Sequence, residues 1–275
     1  MVDDAEKGDS GTSSQLESGP ETLSTQRKKP LQFYLAFLSL VIMALLVSLD
    51  STVLSVAIPV ITRELHGTSL DGFWANLTFL LAVVVTQPLY VTASDVIGRK
   101  PLLNAAFLIF FVGSIVFATA HSMAVIITGR LIQGLGGGGL DVLNEILICD
   151  ITTLKERPFW IGLLSVPLAA GSILGSVLGA LFTQYASWRY IGWINLPLVG
   201  IGFGLAAYAL RLKPVHGSLL TRLRRLGWIG MLLFTVGSVA VALPLSWGGA
   251  LYPWGSVRTI LPGRWLLGPC SVRLL

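Results

Sequence analysis

The feature that most constrains this chain is a series of apolar runs, each long enough to form a helix that crosses a membrane. A span of the hydrocarbon layer needs roughly 20 consecutive apolar residues. Seven such runs follow residue 30, over residues 32–60, 73–93, 102–120, 123–149, 159–183, 190–210 and 228–247. Because loops in lipid would leave backbone groups without hydrogen bonds, runs spaced this closely are expected to pack as one helical bundle. The sequence therefore predicts an all-α membrane protein.

The composition agrees with a membrane environment. Hydrophobic residues make up 53% of the chain and charged residues 12%, whereas about a quarter of a soluble domain is charged. The net charge of +5 does not indicate nucleic-acid binding, because the basic residues lie between apolar runs. The two cysteines and three scattered histidines supply no disulfide framework, metal spacing or catalytic cluster. We expect no catalytic residues, no metal and no cofactor.

The basic residues alternate between the loops. Between the first six runs, the three loops on one side contain only Arg63 and Arg189 as basic residues. Bases are much denser on the other side, at Arg27, Lys28, Lys29, Arg99, Lys100, Lys155, Arg157, Arg211, Lys213, Arg222, Arg224 and Arg225. Basic loops stay in the cytosol, so the amino terminus is predicted to be cytosolic.

This pattern predicts five segments. We expect a disordered cytosolic tail over residues 1–30, six spans over 31–211, a basic cytosolic linker over 212–227, a seventh span over 228–247 and an aberrant tail over 248–275. The loop SDVIGRKP (Ser94–Pro101) is so short that it should fold the second and third spans into an antiparallel hairpin.

Several polar residues lie inside the predicted spans. Asp50 falls in the first span, and Arg130, Gln133, Gly137, Asp141 and Asn144 share one face of the fourth. A lone charge at mid-bilayer costs about 2.5–3.5 kcal/mol, so this face should line the bundle interior or a wet cavity. Arg130 and Asp50 should lie at similar depth and pair. A structural ion pair and an element of a proton or substrate pathway both remain open. Asp141 and Glu145, near the cytosolic end, are expected to bond to basic loop residues.

Glycines mark two helix faces. RLIQGLGGGG (Arg130–Gly139) includes Gly134 and Gly136 among five glycines, and Gly171, Gly175 and Gly179 recur every four residues in the fifth span. In a membrane, such glycines let a neighbouring backbone approach closely. No strand or Gly-Lys-Ser/Thr ending accompanies the first set, so it does not indicate a phosphate loop.

Five motifs together resemble the major facilitator superfamily, specifically the fungal drug:proton antiporters of the fourteen-span type. LDSTVLSVAIP is similar to the first-span signature LDxTIVNVALP, and SDVIGRKPLL is similar to the loop motif GxLADrxGRKxxL. RLIQGLGGGG resembles the fourth-span motif RxxQGxGaa. The fifth span resembles GxxxGPxxGG, and WRYIGWINLP resembles the WRWxFxINLP of the sixth span.

The resemblance implies a six-helix amino-terminal bundle of the major facilitator fold plus a seventh span. It implies proton-coupled export of small hydrophobic compounds (drugs, toxins or secondary metabolites) through the plasma membrane, driven by the proton gradient. Asp50 and Arg130 would serve proton coupling. A gating loop would comprise Asp95, Gly98, Arg99 and Lys100, and the antiporter motif would comprise Gly171, Gly175 and Gly179. The implied partners are a small-molecule substrate and the lipid bilayer.

Members of this group have two six-helix halves, and the chain supplies one half and a seventh span. GRWLLGPCSVRLL (Gly263–Leu275) brings Arg, Gly and Pro where a hydrophobic span is due. A frameshift, an unspliced intron or a mistaken gene model is the preferred expectation, and sequencing the transcript past Pro262 tests it. The alternatives are a half-length chain that works as a homodimer or does not transport, and a uniporter or nutrient importer. The importer stays open because Ser176 stands where the antiporter motif has Pro. A membrane-embedded enzyme is the least supported alternative.

Overall fold

The computed structural model describes residues 30–210 and 228–247. The basic linker and the two expected tails, apart from Pro30, therefore lie outside the described residues. Within the described ranges all regular structure is helical, in the order α1 (Leu31–Glu64), α2 (Ser69–Ile97), α3 (Arg99–Ala118), α4 (Met123–Ile151), α5 (Arg157–Tyr185), α6 (Tyr190–Ala209) and α7 (Trp228–Trp247). Helices α1 to α6 are long and apolar enough to cross a membrane. The predicted fold class is confirmed.

The helices extend beyond several of the apolar runs. Helix α1 continues through Pro59 to Glu64, and α2 begins at Ser69, four residues before the run at 73. A capping box holds that start: Thr68 Oγ1 accepts from the backbone N–H of Asp71 at 3.2 Å, and Asp71 Oδ2 accepts from the N–H of Thr68 at 2.8 Å. The apolar runs underestimate the lengths of α1 and α2, because a helix can continue through polar residues beyond an apolar run when its end is capped.

Helices α2 and α3 are separated by one residue, Gly98. Its φ of 99° and ψ of 153° lie in a region that only glycine adopts readily. The two helices nevertheless contact each other little, since each packs mainly against α4. The expected hairpin connection is present, and α4 is the main packing partner of both its helices.

Glycines explain how α4 approaches two neighbours. A Cβ on Gly134 would lie 2.7 Å from the carbonyl oxygen of Phe79 in α2, and one on Gly136 would lie 2.8 Å from the carbonyl oxygen of Ala106 in α3. The fifth helix uses the same device against α1, where a Cβ on Gly171 would lie 2.9 Å from the carbonyl oxygen of Leu45. Gly175 and Gly179 continue this contact along α1. Close backbone packing replaces the hydrophobic drive that is missing in lipid.

The bundle has two ends, named here by one residue each. The Gly98 end holds the start of α1, the α2–α3 and α4–α5 connections and the end of α6; the Glu64 end holds the α1–α2, α3–α4 and α5–α6 connections. At the Glu64 end, Trp188 Nε1 donates to Glu64 Oε2 at 2.9 Å, and Arg189 Nη2 donates to the carbonyl oxygen of Ala120 at 3.1 Å. These bonds join three connections into one surface.

The core consists of two apolar clusters with a polar layer between them. The cluster toward the Gly98 end includes Leu40, Phe107 and Leu143, and the cluster toward the Glu64 end includes Val53 and Phe117. Between them, on α1, α3, α4 and α6, lie the buried polar side chains Asp50, Ser114, Arg130, Gln133 and Asn195. Buried polar groups surrounded by apolar residues must satisfy one another, which makes this layer the candidate site.

Candidate functional site

The centre of the polar layer is an ion pair between α1 and α4. Arg130 Nη1 lies 2.6 Å from Asp50 Oδ2, and both side chains are 1% exposed. Arg130 Nη2 also donates to the backbone carbonyl oxygen of Asp50 at 3.4 Å. A short, charge-assisted bond between fully desolvated groups fixes the depth of α1 against α4.

Three further helices contribute neighbours to this pair. Asn195 of α6 donates through Nδ2 to Asp50 Oδ1 at 2.6 Å, and Gln133 Nε2 lies 3.4 Å from the same oxygen. Gln133 Oε1 accepts from Arg130 Nη1 at 3.1 Å, while its Nε2 donates to Ser114 Oγ of α3 at 3.0 Å. The Phe79 ring of α2 lies 4.0 Å from the Arg130 guanidinium carbon, as a cation–π contact. The layer thus joins α1, α2, α3, α4 and α6.

Two buried atoms in the layer have no hydrogen-bond partner among the described residues. They are the Nε of Arg130, a donor, and the Oδ1 of Asn195, an acceptor. An unpaired donor and an unpaired acceptor in one buried layer each cost free energy, and each is available to a new partner.

Sequence reasoning found Asp50, Arg130 and Gln133 but missed Asn195, Ser114 and Phe79 as members of the layer. Asn195 interrupts an apolar run, so the rule that selected Asp50 would also have selected it. Ser114 bonds to the backbone carbonyl oxygen of Phe110 four residues earlier. Serine is common in membrane helices for that reason, and no local signal marks this one as part of the site.

The loop residues at the Gly98 end form a separate polar group. Arg99 Nη1 makes an ion pair with Asp150 Oδ2, linking the start of α3 to the end of α4. Asp95 and Lys100 are exposed, and Asp95 makes no hydrogen bond or ion pair with any described residue. The structure therefore joins Arg99 to an acid that the sequence had not singled out.

The expectation for Asp141 is wrong. Its Oδ2 accepts from Gln87 Nε2 of α2 at 2.8 Å rather than from a basic loop residue. Glu145 is exposed and has no ion pair in the described part of the chain. Asp150 takes the predicted role because it lies five residues beyond Glu145 and nine beyond Asp141, at the end of α4, where Arg99 pairs with it.

Taken together, six membrane-length helices, five of which meet at a buried charge pair, define a multi-pass α-helical membrane protein with a polar site inside its bundle. The model of the Major Facilitator Superfamily matches residues 40–261. The chain belongs to this superfamily of transporters.

The relatives are fungal transporters. The chain is 48% identical over 262 residues to the MFS-type transporter sphD of Aspergillus fumigatus, an alignment that covers 94% of this chain and 45% of that protein. It is 42% identical to the MFS transporter L2 of a Phoma species, covering 84% of this chain and 39% of that one. It is 35% identical to the efflux pump FUS6 of Gibberella moniliformis, an alignment that covers 90% of this chain and 44% of that protein. The chain thus spans less than half the length of these relatives.

A solved structure shares the fold. A crystal structure of a mutant peptide transporter POT in complex with sulfate superposes with a TM-score of 0.58 at 12% identity, covering 76% of this chain and 50% of that one. The described helices therefore correspond to about half of a complete transporter of this fold.

Proposed function

We propose that this chain acts in the proton-coupled export of small hydrophobic compounds, with Asp50 and Arg130 coupling proton movement to the movement of helices. The observation that carries the proposal is the fully buried Asp50–Arg130 pair at the meeting point of five helices. The relative FUS6 is named as an efflux pump. A charge pair buried in a membrane transporter is a functional site by default, because an unpaired charge there is so costly.

The coupling step follows from the contacts of Asp50. When a proton binds this carboxylate, the charge that holds Arg130 Nη1 disappears and the guanidinium needs another acceptor. The unpaired Oδ1 of Asn195 is one acceptor within the layer. Exchange of partners would loosen α1 from α4, and these two helices carry the packing of the other four. Proton loss to the opposite side would restore the pair.

The loop at the Gly98 end is the proposed gate. The Arg99–Asp150 pair fixes the start of α3 on α4, while Asp95 and Lys100 remain exposed for a partner that binds in one state only. We place this end in the cytosol because basic residues are denser at this end than at the Glu64 end. The plasma membrane is the location that the resemblance to drug:proton antiporters implies.

Efflux from cells tests the proposal. Cells expressing the chain and loaded with rhodamine 6G, a lipophilic cationic dye, should lose the dye faster than cells without the chain, and a protonophore should abolish the difference. Asp50→Asn and Arg130→Ala should abolish it too, whereas Glu145→Gln, a change of an exposed acid on the same helix as Arg130, should not. Dye loss that ignores the protonophore would favour a uniporter and contradict proton coupling.

A second candidate function is that of a half-transporter working as a homodimer. The described helices α1 to α6 make up one six-helix unit, which superposes on half of the POT transporter. Two copies would then supply the two halves between which transport occurs. Co-purification of two differently tagged copies from membranes, together with dye efflux, would support it; efflux by a chain that elutes as a monomer would contradict it.

A further inference from the structure

A second polar site lies on the same face of α4 as Arg130, closer to the Gly98 end. It consists of Asp141 and Asn144 of α4 and Gln87 of α2. Gln87 Nε2 donates to Asp141 Oδ2 at 2.8 Å. Asp141 follows Arg130 by eleven positions, about 16 Å along the helix axis. The two sites are therefore distinct, and the Asp50–Arg130 pair does not neutralise Asp141.

Asp141 has no cation beside it. None of the ion pairs in the described ranges involves this carboxylate, and its one bonded neighbour there is the neutral amide of Gln87. The side chain is half-buried in the membrane-spanning part of α4. Asp50, the other acid in the middle of a span, is fully paired. A carboxylate at this depth lacks the compensation that the membrane interior demands.

Asn144 supplies an independent observation. This residue is only 5% exposed, and its Oδ1 has no hydrogen-bond partner among the described residues. It follows Asp141 by three positions, and residues three apart are neighbours on a helix surface. A buried amide oxygen with no donor costs free energy unless a ligand supplies one.

The free acceptors of the three residues have a definite chemistry. Asp141 Oδ1, Asn144 Oδ1 and Gln87 Oε1 accept from no described donor, and one of the three belongs to a carboxylate. A primary ammonium group presents three N–H donors and one positive charge. The donor count and the charge both match. Asp141 and Gln87 are only half-buried, which leaves a side from which a ligand can enter.

We propose that Asp141, Gln87 and Asn144 bind the protonated amino group of an amphiphilic compound. The carboxylate neutralises the ammonium, and the two amide oxygens accept its remaining N–H bonds. The compound is then an apolar molecule with one basic amine, rather than a neutral one. This inference rests on the proposed export function only in taking the ligand to be a transported compound; binding itself requires no transport.

Equilibrium binding to the purified full chain in lipid nanodiscs tests the inference. The probe is dansylcadaverine, a primary ammonium on an apolar fluorophore, and its control is an alkyl dansylamide that lacks the amine. Asp141→Asn should raise the Kd of the amine about tenfold or more, because a charge-assisted bond is lost. Asn144→Leu should raise it severalfold. Neither change should alter the Kd of the neutral control.

Two further variants separate binding from folding. Glu145→Gln removes an exposed acid next to Asn144 and should leave the Kd unchanged. Asp141→Glu keeps the charge and should retain more affinity than Asp141→Asn. The inference is overturned if Asp141→Asn binds the amine like the wild type, if the neutral control loses as much affinity, or if the Glu and Asn variants fail equally. Intact amine binding combined with absent dye efflux would overturn the export proposal and leave this site standing.

Discussion

Arg130 and Asp50 lie 80 positions apart in the sequence, yet Arg130 Nη1 and Asp50 Oδ2 are 2.6 Å apart in the interior of the bundle. Each charge is the main compensation for the other, because both side chains are 1% exposed. Removing one partner would leave a buried, uncompensated charge, whereas removing both leaves no buried charge in the layer. This asymmetry leads to a direct test of how the layer is held together.

Single substitutions of the pair should destabilise the protein more than the double substitution does. We expect Arg130→Leu to lower the free energy of unfolding by about 3–5 kcal/mol, because Asp50 then stays buried and unpaired. Asp50→Leu should have a similar effect through Arg130. The double variant should cost less than the sum of the two. Thermal unfolding in nanodiscs measures the stability of the wild type and the three variants. If the losses of stability in the two single variants simply add up in the double variant, the two residues are not a coupled pair.

Asn195 should be replaceable by an apolar residue more easily than by an acid. Its Nδ2 lies 2.6 Å from Asp50 Oδ1, so Asn195→Asp would set two carboxylates against each other with one guanidinium to share. Asn195→Leu removes one bond to a charged group, worth about 1.5–3 kcal/mol. The Asp variant should unfold at a lower temperature than the Leu variant at pH 7.5. Acidification to pH 5 should narrow the gap, since protonation of either carboxyl relieves the repulsion; a gap independent of pH would argue against this contact.

The features of the fold that depend on neighbouring residues in the sequence could be predicted. Apolar run length predicted the helices, and four-residue spacing placed Gly171, Gly175 and Gly179 on the face of α5 that meets α1. Charge in an apolar run selected Asp50 and Arg130. Residues that join the layer only through tertiary packing could not be predicted. In the sequence, Ser114 looks like any serine that bonds to its own helix, and Phe79 looks like any aromatic residue of the core. The packing of α2 and α3 on α4 could not be predicted, because a short loop fixes how two helices are connected but not which helix they pack against.

The α5 glycines should be sensitive to size on one face only. A Cβ on Gly175 would lie 2.8 Å from the carbonyl oxygen of Leu49, while one on Gly162 of the same helix would meet nothing within 4 Å. Gly175→Leu should therefore separate α5 from α1 and lower the free energy of unfolding by about 1–3 kcal/mol or more. Gly162→Leu is the matched control and should have little effect. Equal melting temperatures for the two variants would contradict the packing described.

Gly98 should be required for its backbone conformation. At φ 99° and ψ 153° a side chain is strained by about 1–3 kcal/mol. Gly98→Ala should destabilise the α2–α3 connection by that amount. Gly200→Ala in α6, where a Cβ meets nothing within 4 Å, should be neutral or slightly stabilising because alanine favours helix. Hydrogen exchange at the start of α3 should rise in the first variant alone, and unchanged exchange there would contradict a strained loop.

Proton movement coupled to export is the central claim, and its most direct measurement uses vesicles that contain the purified chain and a trapped pH dye. When rhodamine 6G leaves the vesicles through the protein, protons should enter in exchange. The internal pH should therefore fall in wild-type and Glu145→Gln vesicles. Asp50→Asn vesicles, reconstituted only with protein that elutes like the folded wild type, should show no such fall. An unchanged internal pH during rhodamine efflux by the wild type, or an equal fall with Asp50→Asn, would contradict the role assigned to the Asp50–Arg130 pair.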